Sequence, residues 1–119
     1  MSALEKSSKR EFKEVEPKEV FNILEKNRDN SDFVVLDVRT PEDYEEGHIE
    51  NAYLLNIKSK DFGDELERMD KNRKYFVYCK TGRKSRKAVE LMKERGYKEA
   101  HNIVGGMDKW KLRRLPVEK

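Results

Sequence analysis

The sequence predicts an α/β domain built on a mainly parallel β-sheet, and three observations carry that expectation. Apolar runs of strand length alternate along the chain with segments of helical period, the pattern of successive β-α units. The run Phe33-Val34-Val35-Leu36 is continuous rather than alternating, as a strand covered on both faces should be, and Tyr75-Phe76-Val77-Tyr78 is a second β-forming run. The length of 119 residues fits one domain, long enough to bury a core without metal or disulfide staples.

Taken in order, residues 1–10 are polar and aperiodic and read as a flexible N-terminal arm. Residues 11–115 form the domain, and 116–119 are set apart as a C-terminal tail. Phe12 and Val15 suit a short edge strand; Pro17 then opens a helix with Val20, Phe21, Ile23 and Leu24 on its apolar face, ending in the polar stretch Asn27 to Asp32. The Phe33 strand follows, and its charged end, Asp37-Val38-Arg39, is expected to open onto a site. Thr40 caps a short helix over 41–46 whose first residue is Pro41, with Glu42 and Asp43 in the favourable first turn and Gly47 as the stop. Ala52 to Ile57 reads as a strand, Phe62 to Met69 as a short helix and Lys74 to Tyr78 as a central strand. Ser85 is the expected N-cap of a helix that buries Ala88, Val89, Leu91 and Met92 and stops at Gly96. Ala100 to Val104 is the last strand, Gly105-Gly106 a turn, and Met107 to Leu112 a closing helix anchored by Trp110.

The composition excludes several function classes. Lys and Arg number 27 against 24 Asp and Glu, a net charge of +3 that is too balanced to indicate nucleic-acid binding. Basic clusters at Lys80 to Lys87 and at Lys109, Lys111, Arg113 and Arg114 lack interleaved stacking aromatics and read as solvated surface. A single cysteine forms no internal disulfide, the first residues lack the apolar core of a secretory signal, and no run approaches the ~20 apolar residues of a membrane helix. A cytoplasmic, soluble monomer without nucleic-acid or membrane partners is the expectation. His48 and His101 with one cysteine are too few for a structural zinc site, and His48 is expected to bond backbone after a helix-ending glycine.

The chemistry concentrates where the Tyr75 strand ends at Cys79. In open α/β sheets ligands bind beyond the carboxyl ends of the strands, where both Asp37 and Cys79 fall. Lys80, Thr81, Gly82, Arg83, Lys84 and Ser85 can curl their N–H groups around the sulfur ahead of the following helix, a cradle that favours an anion. Such surroundings lower a thiol pKa, and Lys80, Arg83 and Lys84 add positive charge. Cysteine is also a common inert core residue; the strand, the glycine, the three cations and the helix start favour a nucleophile here. Asp37 and Arg39 are expected to form a supporting ion pair rather than to act on substrate.

The loop Cys79 to Ser85, with Leu36-Asp37-Val38-Arg39, Glu42-Asp43-Tyr44, Gly47-His48-Ile49, Asn51-Ala52 and Val104-Gly105-Gly106-Met107-Asp108-Lys109-Trp110, resembles a single-domain rhodanese over residues 12–112. That resemblance implies a rhodanese-like fold, a five-stranded parallel sheet with helices on both faces. It implies a sulfurtransferase in which Cys79 carries a persulfide between thiosulfate or a persulfide donor and a thiophilic acceptor such as cyanide or a thiol, with no metal or organic cofactor. A protein persulfide partner is compatible with it, as is a module that binds or carries sulfur without turnover. The family most often places arginine fifth after the cysteine, whereas that position is Lys84 here and Arg83 stands one earlier. Charge is kept but the bidentate fork is lost, which predicts a looser grip on thiosulfate than on a persulfide donor. Phosphatases and arsenate reductases with a C-x5-R loop need arginine where this chain has Ser85, with Arg86 one further on.

Overall fold

Strand residues of one parity face one side of a sheet and those of the other parity the opposite side, and this rule organises the whole molecule. The structure, a computed structural model, describes residues 9–119. Its strands are β1 (Glu14–Val15), β2 (Phe33–Asp37), β3 (Tyr53–Leu54), β4 (Lys74–Tyr78) and β5 (Glu99–Ile103). They pair in parallel throughout, in the order β1-β5-β4-β2-β3. The helices among the described residues are α1 (Pro17–Lys26), α2 (Pro41–Glu46), α3 (Phe62–Arg68), α4 (Arg83–Glu94) and α5 (Gly106–Leu112).

On one face Leu36, Tyr75, Val77, Cys79 and Ala100 pack with Phe62 and Leu66 of α3 and Ala88, Val89 and Met92 of α4. On the other, Val35, Phe76, Tyr78 and Ile103 meet Val20 of α1 and Met107 and Trp110 of α5. Cys79 continues the parity of Tyr75 and Val77, so its side chain is delivered to the α4 side. Trp110, 1% exposed, meets the Phe21 ring edge-on and donates from Nε1 to the Pro116 carbonyl at 2.9 Å. That contact returns residues 116–119 to the body, where Glu118 and His48 exchange two backbone hydrogen bonds of 2.8 Å.

Several boundaries differ from the sequence reading. The segment expected as a strand over 52–57 pairs only at Tyr53–Leu54. Leu55 and Ile57 still donate to the carbonyls of Asp37 and Val38, but the Asn56 side chain accepts from Lys58 N at 2.9 Å and turns the chain away. The last strand runs Glu99–Ile103, one residue early. Leu91 is half-buried rather than buried, and α4 begins at Arg83 with Gly82 as its N-cap, so Ser85 lies inside the first turn. Of the arm expected over 1–10, residues 1–8 lie outside the described residues, while Arg10 donates to the carbonyls of Tyr97 and Lys93.

The carboxyl ends of β2 and β4 are locked together. Asp37, fully buried, accepts from Arg39 N and Nε on Oδ1 at 2.9 and 3.0 Å, and from Arg39 Nη2 and the Tyr78 hydroxyl on Oδ2, both at 2.7 Å. Arg39 also holds the Gly47 carbonyl at 2.7 Å, and the Tyr78 oxygen accepts from Ile49 N at 3.1 Å. Burial, and then the adjacent Asp37 charge, push the Tyr78 phenol above its ordinary pKa, keeping it a donor. Asp37→Ala strands a buried guanidinium and a buried hydroxyl; it is expected to cost about 3–5 kcal/mol, read as a lowered midpoint in urea denaturation.

Candidate active site

Beyond Tyr78 the chain reaches Cys79, turns through Lys80, Thr81 and Gly82, and enters α4. Gly82 adopts φ +96°, a left-handed turn that its lack of a Cβ permits, and a Cβ there would stand 3.1 Å from Gly105 N. A helix leaves its first N–H groups unpaired, and a Ser or Asp side chain at the N-cap usually accepts from the third. Glycine has no such side chain. The acceptor is instead the cysteine sulfur: Ser85 N donates to Cys79 Sγ at 3.3 Å and Gly82 N at 3.1 Å. Cys79 therefore caps α4 through space, and Ser85, expected to be the cap, is a residue that the cap holds.

The carbonyl side of the same loop is held by the other helix. Met107 N donates to Cys79 O at 2.8 Å and Asp108 N to Lys80 O at 2.9 Å. Gly106, at φ +58°, lets this contact close, since a Cβ there would collide with Cys79 O and stand 2.7 Å from Lys80 O.

Cys79 is 4% exposed. Burial opposes its ionisation, but hydrogen bonds on the sulfur from Ser85 and from the N–H groups of Gly82 and Thr81 outweigh it, and the thiol pKa lies below its ordinary value. The sulfur lies against a cleft of about 310 Å³ whose wall includes Arg39, Lys58, Thr81, Arg83 and Lys84. None of the ion pairs among the described residues involves Lys58, Arg83 or Lys84, whereas Lys80 is paired with Asp108 at 3.1 Å. The Lys58 ammonium next to Lys84 lowers the Lys84 pKa. Arg86 is turned away from the cleft and pairs with Glu14 at 3.0 Å.

Asp37 and Arg39 thus buttress the site from below, with Arg39 reaching its wall, while residues 79–85 form it. Lys58 and Asn102 were not legible as site residues. Lys58 arrives from the turn after β3; Asn102 is a polar residue on the Cys79 side of a buried strand, and that misplaced polarity was its one signal. His48 binds the Tyr44 carbonyl at 2.8 Å and stacks on the Tyr44 ring. Glu11, Glu99 and His101 converge far from Cys79. There Lys13 N donates to His101 Nδ1 at 3.1 Å, which leaves the ring proton on Nε2, 2.8 Å from Glu99.

The family model described as Rhodanese-like domain matches residues 20–113. The thiosulfate sulfurtransferase GlpE of Coxiella burnetii is 32% identical over 100 residues, 84% of this chain and 88% of the relative. The putative sulfur carrier protein YrkF of Bacillus subtilis is 33% identical over 76 residues, 64% of this chain and 40% of that protein. Among solved structures, the rhodanese-like domain of the Anabaena sp. Alr3790 protein superposes with a TM-score of 0.76 at 27% identity, covering 88% of this chain and 77% of the other. A rhodanese-like domain protein from Staphylococcus aureus gives 0.70 at 33% identity, covering 82% and 90%.

The hydrogen bonds on Sγ set a pH expectation. Iodoacetamide should alkylate Cys79 with a midpoint below the ~8.5 of an unperturbed thiol. In Gly106→Ala, whose added Cβ pushes against the loop, the midpoint should move back up; a midpoint at or above 8.5 in the unaltered chain would remove the cradle's electrostatic role.

Proposed function

The chain belongs to the rhodanese-like domain family, and from that premise we propose that it is a sulfurtransferase with Cys79 as nucleophile and sulfur carrier. One observation carries the reading: a buried sulfur that accepts the free N–H groups at the start of α4 while lying against a cleft whose Lys58, Arg83 and Lys84 have no ion-pair partner among the described residues. Thiolate is the reactive form of cysteine, and a helix N-terminus favours it.

In the first half-reaction the Cys79 thiolate attacks the outer sulfur of thiosulfate. A new S–S bond forms, the old one breaks, and its electron pair leaves with sulfite; a persulfide donor leaves as its thiolate in the same way. The enzyme then holds Cys79–S–S⁻. In the second half-reaction cyanide or a thiolate attacks that outer sulfur, and Cys79 departs as thiolate, ready for another cycle. Total charge is unchanged in each step, and no cofactor is called upon. The N–H groups at Gly82 and Ser85 stabilise the thiolate as nucleophile and as leaving group.

Lys84 in place of arginine leaves a single-point contact for an oxyanion. Lys58 stands beside it on the same cleft wall and supplies a second point from another loop. These two adjacent ammonium groups would face the sulfonate end of thiosulfate together, so the lost fork is replaced by a pair of separate charges. The phosphatase alternative is disfavoured, because Ser85 occupies the position its arginine needs and Arg86 points to Glu14.

Mass analysis after exposure to thiosulfate or a low-molecular-weight persulfide should show one added sulfur, absent in Cys79→Ser, with thiocyanate produced on adding cyanide. No gain from either donor would leave a binding module instead. Lys58→Ala is expected to raise KM for thiosulfate roughly fivefold at low salt with kcat little changed, and to matter less for an uncharged-headgroup persulfide.

A further inference from the structure

Behind the Cys79 sulfur lies a buried polar chain that sulfur transfer as described does not use. Ser85 and Asn102 are 0% and 1% exposed; the Ser85 hydroxyl donates to Asn102 Oδ1 at 2.5 Å and its oxygen stands 3.3 Å from Cys79 Sγ. A hydroxyl has one proton to give. Which way it points is decided by the Asn102 amide, whose Nδ2 donates to Glu14 Oε1 at 3.0 Å and to the Gly82 carbonyl at 3.1 Å. Turning the amide over would set its oxygen against two oxygens. Glu14 cannot move to relieve this without losing Arg86, which holds it at 3.0 Å and, as the largest influence on it, keeps its carboxyl below the ordinary pKa. The Arg86–Glu14 pair at the surface thus fixes the amide, and the amide fixes the serine proton.

We infer that Asn102 is a positioning residue for Cys79: by holding the Ser85 proton toward itself it makes the serine oxygen an acceptor for the thiol S–H, so that the thiolate gains the hydroxyl as a donor only when that proton turns away from Asn102. The turn leaves a buried amide oxygen without a donor, an opposing cost. No covalent bond changes; one hydroxyl rotor has two settings. With the thiolate present it points to sulfur. Once Cys79 carries a second sulfur, the inner sulfur is uncharged and a weak acceptor, and the proton returns to Asn102. Asn102 thereby restrains the resting thiol from ionising further than Gly82 and Ser85 N–H alone would bring it.

The inference rests on Cys79 being the nucleophile proposed above, but its test needs no substrate. Thiolate absorbance is titrated in the unaltered chain, Ser85→Ala, Asn102→Ala, Asn102→Val and the double variant Ser85→Ala/Asn102→Ala. The Asn102 variants free the hydroxyl and should lower the ionisation midpoint by about one pH unit, tenfold more thiolate on the acid side. Ser85→Ala should leave it within a few tenths, and the double variant should match Ser85→Ala. A rise of about one unit in Ser85→Ala, or no fall in both Asn102 variants, overturns the inference. Should the Asn102 variants not fold, Ser85→Ala alone decides, constancy supporting the restraint and a rise refuting it. Absence of sulfur transfer in the unaltered chain would refute the proposed function and leave this titration readable.

Discussion

The buried carboxylate of Asp37 is the constraint on which the geometry of the site depends. It receives three donors from Arg39 and one from Tyr78, and those two residues reach on to Gly47 and Ile49. Asp37 and Tyr78 are register partners at the ends of β2 and β4, so the bond between them sets the level at which both strands stop. Cys79 is the next residue. Buried ion pairs are often replaceable by apolar groups of similar volume without loss of stability. What this one supplies is a fixed origin for the loop that follows, and a wall of the cleft in Arg39.

From that origin two helix N-termini divide the loop between them. The start of α4 faces the sulfur and the start of α5 faces the carbonyls of Cys79 and Lys80. Both helices present their positive ends, one to the cysteine sulfur, the other to permanent backbone dipoles. The second contact is made possible by Gly106, which has no Cβ to fend off the loop. Donor and acceptor sides of the loop are thus committed to opposite neighbours, which holds the sulfur in place.

Most of the fold was legible because its signals are local. Strand parity, the Thr40–Pro41 helix start and the run Phe33 to Leu36 need no knowledge of distant residues. Misreadings arose where a local rule met a partner from elsewhere. Ser85 carries the side chain of a good N-cap, but the sulfur of Cys79, six residues earlier, does the capping, so the helix begins at Arg83. The apolar stretch after Ala52 has the composition of a long strand, yet the Asn56 turn ends it after two residues. Lys58 and Asn102 lie 21 residues before and 23 residues after Cys79 in the chain, and only the sheet order brings the turn and the strand that carry them to it. The loop itself was readable as a unit because the cysteine, the glycine turn and the helix start are contiguous.

On the proposed reading, the depth of Cys79 decides which acceptors could collect a transferred sulfur. At 4% exposure the sulfur offers almost nothing for an acceptor to touch. A second sulfur is bonded about 2.05 Å farther along, and the cleft is the open direction. Loading therefore lengthens the nucleophile by one atom and moves the reactive end from the floor toward the mouth, within reach of a thiol that could never approach the cysteine. A protein working this way would present its sulfur only when it has one to give, and its empty site would be, to an acceptor, nearly a closed surface.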